Sequence, residues 1–221
     1  MSSLNKEYKL ARMNSVDGVQ LTDRTYNLAI GATILLGLII NYLMYAYLRA
    51  PILRMNYVVV LILYFAGAFG GMFIVYKSDS ALVSLGGFSL MAVAMGLLLT
   101  FYLSLYSPTL IESAVTITAI TTAIMILFST LFPSFFLGIG RILGIALLAC
   151  IVTELVCGLI LRMNIDAVDW IVALVFCGYI GFDWAKAQMY PKTLNNAVDS
   201  AADIYVDIIN LFIRVLEILG R

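Results

Sequence analysis

Histidine is missing from all 221 residues of the chain. With it go imidazole metal ligands, a Ser-His nucleophile pair and a histidine pH switch, so any response to protons must come from carboxylates. Charge is scarce as well: 12% of residues are charged and 63% are hydrophobic, against about 25% charged in an ordinary soluble domain. A chain this apolar takes lipid as its solvent. Its thirteen basic and thirteen acidic residues cancel, which leaves no basic footprint for nucleic acid. The three cysteines, Cys150, Cys157 and Cys177, fall in apolar stretches without the closely spaced pairs of a zinc site, and read as small core residues. No nucleophile stands beside a base and no metal cluster is apparent, so neither an enzyme nor a resident cofactor is expected.

What the sequence does contain is long apolar runs. A spanning helix needs about 20 mostly apolar residues, and the uncharged intervals 25–48, 55–76, 80–111 and 113–140 all qualify. The third is too long for one span. Ser107-Pro108 divides it, because the residue before proline is pushed out of helical geometry. The third helix is therefore expected to end near Tyr106. The fourth starts around Thr109 and stops before Pro133, with Glu112 in its first turn, where the helix dipole favours an acid. A fifth helix, about 134–161, carries Arg141 and Glu154. A sixth, about 167–186, starts beside Asp169 and contains Asp183. After Pro191 a last helix runs over about 197–219. Residues 1–24 form a polar tail, and the apolar run after them is too long for the core of a cleavable signal peptide.

Cytoplasmic loops carry an excess of Lys and Arg. An N-terminus inside puts Lys6, Lys9, Arg12, Arg24, Lys77, Lys186 and Lys192 on the cytoplasmic side, and leaves Arg49, Arg54, Arg162 and Arg221 opposite. The side of the C-terminus depends on whether the last helix crosses or re-enters.

The last helix is the unusual one. At 100° per residue, Asp199, Asp203, Asp207, Asn210, Arg214 and Glu217 fall within an arc of about 80°, and the rest of the circumference is apolar apart from Ser200 and the amphipathic Tyr205. An amphipathic helix on the membrane surface, or one packing in a coiled coil with its charges in water, is one reading of that pattern. The narrowness of the polar arc favours another, in which the seam lines a water-filled or proton-accessible interior, since ionisable groups within spans face cavities or each other. The expected fold is then an all-α membrane protein: a seven-helix transmembrane domain over residues 25–221 with its C-terminal helix in the centre. Asp183 is the other charge inside a span. If the sixth and seventh helices are antiparallel neighbours, its carboxylate reaches the N-terminal half of the seam, and two carboxylates in low dielectric titrate as a unit with one apparent pKa raised. Arg141 reads as a snorkelling side chain, Glu154 as a partner for a neighbouring helix, and the glycines of Gly67-Ala68-Phe69-Gly70-Gly71 and Gly138-Ile139-Gly140 as sites of close helix approach.

Two segments carry a resemblance to a known family. Tyr179-Ile-Gly-Phe-Asp183 and Ile204-Tyr-Val-Asp-Ile-Ile-Asn-Leu-Phe212 resemble the sixth- and seventh-helix signatures of the transmembrane Bax inhibitor motif family, found in bacterial plasma membranes and in endoplasmic reticulum and Golgi membranes. The resemblance implies seven helices with the last one surrounded, and a pH-sensitive calcium leak. It implies that Asp183 and Asp207 form the proton-sensing pair, with a base at the end of the second helix, best matched by Lys77, latching the closed state. Asp203 departs from the family pattern, where a small or neutral polar residue is usual.

The function expected is a proton-modulated calcium leak. Asp183 and Asp207 are its sensing pair, Asp203, Asn210 and Arg214 its supporting stripe, and Asp183, Asp207 and Asp203 weak ligands for passing calcium, a hard ion that takes oxygen donors. The alternative is a membrane-embedded regulator of a partner, such as a membrane protease or a cell-death factor, with no transport of its own. An intramembrane aspartyl protease is set aside, because its Gly-x-Gly-Asp context is absent around both aspartates. The expected location is a bacterial plasma membrane, with endoplasmic reticulum or Golgi as the alternative.

Overall fold

A computed structural model describes residues 19–157 and 166–221. Most of the expected polar tail, the end of the fifth expected helix and Arg162 lie outside the described residues. The described residues form α-helices and no strand. In chain order these are α1 (Asp23–Tyr47), α2 (Arg49–Leu53), α3 (Tyr57–Lys77), α4 (Ala81–Leu103), α5 (Pro108–Leu131), α6 (Pro133–Leu155), α7 (Asp166–Met189) and α8 (Leu194–Leu219). Six of them, α1 and α3 to α7, are long and apolar enough to cross a membrane. The chain divides into two compact units, Met1–Leu105 with Met189–Asp203, and Tyr106–Gln188 with Ile204–Arg221.

In the first unit, short polar side chains fix the helix starts. Thr22 caps α1 by accepting from the Thr25 amide at 3.2 Å, and Asn56 caps α3 through the Val58 amide at 2.8 Å. Such caps satisfy amide groups that the helix cannot. The five-residue α2 lies between the first two apolar intervals, where the sequence gives no helical signal. The α3–α4 pair packs backbone against backbone. A methyl group placed on Gly71 would lie 2.5 Å from the Gly87 carbonyl oxygen, and one on Gly87 would lie 2.8 Å from that of Gly71. Gly67 also packs closely, against Ala94, whereas Gly70 faces open space. Asn41 of α1, buried, donates to the Ala92 carbonyl of α4 at 2.8 Å. Apolar side chains such as Ile62, Phe69 and Phe73 stand outward on α3, as lipid-facing residues do.

In the second unit both prolines sit where helices begin. Ser107 accepts from the Leu110 amide at 3.4 Å, with Pro108 in the first turn of α5, and Pro133 stands in the first turn of α6 without a side-chain cap before it. A proline costs nothing there, since its missing N–H has no intrahelical partner to lose. Starting at Pro108 places Glu112 beyond the first turn, so the expected dipole contact is not made. Gly140 of α6 receives the Phe182 ring of α7, and Ser129 of α5 donates to the Gly181 carbonyl at 2.5 Å. Gly138 meets nothing. Ile142, Ile145 and Leu148 point outward from α6.

Helix α8 differs from the rest. Thr193 caps it through the Asn196 amide at 3.2 Å. Between residues 195 and 219 no side chain is exposed, whether apolar or charged.

Candidate functional site

The two aspartates singled out by sequence both belong to the second unit. Asp183 lies in the last third of α7 with its side chain 13% exposed, and Lys186, one turn on, donates to its Oδ1 at 3.2 Å. Asp207 lies at mid-length in α8 and is 7% exposed. Tyr179 lies one turn before Asp183 on α7. That tyrosine had been read only as part of a motif. Its position four residues before Asp183 puts it on the same helical face, which is the signal that could have singled it out. Asn210 sits one turn beyond Asp207, half-buried, and its amide donates to the Val206 carbonyl at 2.8 Å.

Further along α8, Arg214 is the hub of an ion-pair network. Its guanidinium lies 2.7 Å from Asp169 of α7, 2.8 Å from Glu154 of α6 and 2.9 Å from Glu217 of its own helix. The Arg221 guanidinium pairs with the second oxygen of Asp169. These groups line a cavity of about 380 Å³, together with Tyr106, Thr153, Cys157, Val168 and Gly220. Glu154 pairs with a neighbouring helix, as its place within an apolar span implies, and Arg214 and Glu217 are spaced for an i,i+3 pair; that Asp169 joins them on the same guanidinium has no signal in the sequence.

The remaining sequence-selected residues lie in the first unit. Asp203 accepts a hydrogen bond from the Tyr76 hydroxyl, and Lys77 ends α3 with an exposed side chain. Nearby on α8, Asp199 is 1% exposed, and the buried Tyr26 of α1 shares a hydrogen bond with Ser200 at 3.3 Å. Lys192, in the connection before α8, sits over the Tyr26 ring at 4.7 Å. Burial pushes its ammonium below the usual lysine range, with Asp23 opposing the shift. Among the described residues, no three His, Cys, Asp or Glu side chains are grouped to hold a metal ion, and the aspartates of the expected calcium set are divided between the units, Asp183 and Asp207 in one and Asp203 in the other.

Comparison with known proteins adds one finding. The family model described as inhibitor of apoptosis-promoting Bax1 matches residues 19–221. No curated protein matches the chain.

Proposed function

Because the chain belongs to the family of inhibitors of apoptosis-promoting Bax1, whose members are membrane proteins, we propose that it is a proton-modulated calcium leak in which Asp183 and Asp207 hold one proton between them. The observation that carries this reading is the burial of Asp207, 7% exposed, on a helix with no exposed side chain between residues 195 and 219. A carboxylate withdrawn so far from water is costly unless a partner, a proton or a cation compensates it. Asp183 is in the same unit. Helix α8 is the seventh span of this proposal and its centre. Its 26 residues extend about 39 Å at 1.5 Å per residue, longer than the roughly 30 Å hydrocarbon core. The interior would carry calcium by weak carboxylate and carbonyl contacts, as conduction requires, and Lys77 would act as the latching base.

The family's description favours a second reading, a membrane-embedded regulator of a partner protein without transport of its own. Calcium flux from the purified chain reconstituted in liposomes separates the two. The leak reading expects flux above protein-free vesicles that changes with pH. Absence of flux from folded protein at every pH assigns the chain to the regulator class.

A further inference from the structure

The carboxylate pair occupies only part of the second unit. Asp169 precedes Asp183 by 14 residues on α7, which is about 21 Å of helix, so the Arg214 network lies towards the opposite end of that helix. Three helices meet there on one guanidinium. Glu154 comes from α6, Asp169 from α7 and Glu217 from α8, all within 3.0 Å of Arg214. Arg221 adds a second cation on Asp169. Side-chain exposures of 22% for Arg214 and 11% for Asp169 put the pair between water and interior, where charge-assisted hydrogen bonds hold more strongly than at an open surface. The cavity beside it is lined by these same charges and by Cys157, a buried thiol one turn beyond Glu154.

From this geometry we infer that Arg214 is the pin of an ionic latch that ties α6, α7 and α8 together, and that the cavity it lines is a polar mouth that widens when the latch is released. With the pin in place, the helix ends carrying Glu154 and Asp169 are held to α8. Without it, Glu154 and Glu217 lose this cation and Asp169 keeps Arg221 alone, so α6 loses its tie to α8, the tie of α7 is halved, and the helix ends separate. The consequence for transport rests on the leak proposed above; the latch itself does not.

Cys157 supplies a reporter independent of calcium. In the full chain carrying Cys150→Ser and Cys177→Ser, in detergent micelles at neutral pH, the rate of Cys157 alkylation by a charged, water-soluble maleimide measures how open the mouth is. Arg214→Gln should raise that rate by about tenfold, as expected when several charge-assisted bonds are lost together. Arg214→Lys, which keeps the charge but loses the planar fork that reaches Glu154 and Asp169 at once, should fall between the parent and Arg214→Gln. Equal rates in the parent and a folded Arg214→Gln protein overturn the latch. If Arg214→Gln does not fold, Arg221→Gln, which takes the second cation from Asp169, and Glu154→Gln, which weakens the tie of α6 to the pin, should each still raise the rate by at least about twofold, and an unchanged rate in both overturns it. Calcium flux measured on the same proteins then separates the two ideas. Faster labelling with greater flux supports both, whereas faster labelling in proteins that carry no flux leaves the latch standing and removes the leak.

Discussion

Gly71→Ala, paired with Gly70→Ala as its control, tests the packing that positions the first unit. The two glycines are neighbours in α3, so exchanging either for alanine changes helix propensity by a similar amount, about 0.5–1 kcal/mol in favour of alanine. Their surroundings differ. The new methyl at position 70 meets nothing within 4 Å, whereas at position 71 it lies 2.5 Å from the Gly87 carbonyl oxygen and 2.7 Å from the Met91 nitrogen. Both of those atoms are backbone and cannot rotate away. Reaching ordinary contact at 3.4 Å requires α3 and α4 to part by about 0.9 Å, which takes neighbouring side chains out of contact. Overpacking of this kind costs about 1–3 kcal/mol, and because the propensity gain cancels between the two variants, their difference reads the packing cost alone. The assay is reversible unfolding in mixed micelles followed by circular dichroism. Gly87→Ala should lose a similar amount, and the Gly71→Ala, Gly87→Ala double variant should lose less than the sum, since the helices part only once. Equal stability of Gly71→Ala and Gly70→Ala would refute the close approach.

Tyr76→Phe removes the hydroxyl that donates to Asp203, and should cost about 1.5–3 kcal/mol, the range for hydrogen bonds to charged groups, read in the same unfolding assay; no loss would show that the bond contributes nothing. Thr193→Ala deletes the cap on α8 and should cost about 0.5–2 kcal/mol, with Thr193→Ser restoring most of it. Burial holds the Lys192 pKa below its unfolded value of 10.5, so the unfolded chain binds the extra proton in the window just below 10.5, and stability from this group rises with pH there. Wild type should therefore gain stability relative to Lys192→Met as pH climbs through that window, and a constant or falling difference would reverse the assigned sign.

Helix positions were legible because their punctuation is local. Pro108 and Pro133 mark starts by removing an amide, and charges at Arg24, Arg54 and Lys77 mark where apolar runs stop. The same logic failed at α2, where four residues between two arginines are too few to show a helical pattern, and at Glu112, which a start one residue earlier than expected carries past the first turn. The candidate site was legible to the extent that charge within an apolar span is expensive and therefore conspicuous. Asp183, Asp207 and Arg214 could be selected on that ground. What holds Arg214 could not, because Asp169 and Glu154 lie 45 and 60 positions away in the chain, and no periodicity on one helix reports which carboxylates another helix brings to it. The two-unit division of the expected calcium set was equally hidden. Asp203 and Asp207 are one turn apart on a single helix, yet fall on either side of the boundary.

The central claim, one proton shared between Asp183 and Asp207, is tested most directly by the pH profile of calcium flux in liposomes for wild type, Asp183→Asn and Asp207→Asn. Asparagine keeps the shape and hydrogen-bonding capacity of aspartate but cannot ionise. If flux depends on whether the pair carries one proton or none, either substitution fixes the pair near one limit. The account predicts that wild-type flux changes across about pH 5 to 8, the range into which a carboxylate pair coupled in low dielectric is moved, and that both variants remain folded with nearly flat profiles. Wild-type pH dependence retained in both folded variants would contradict it.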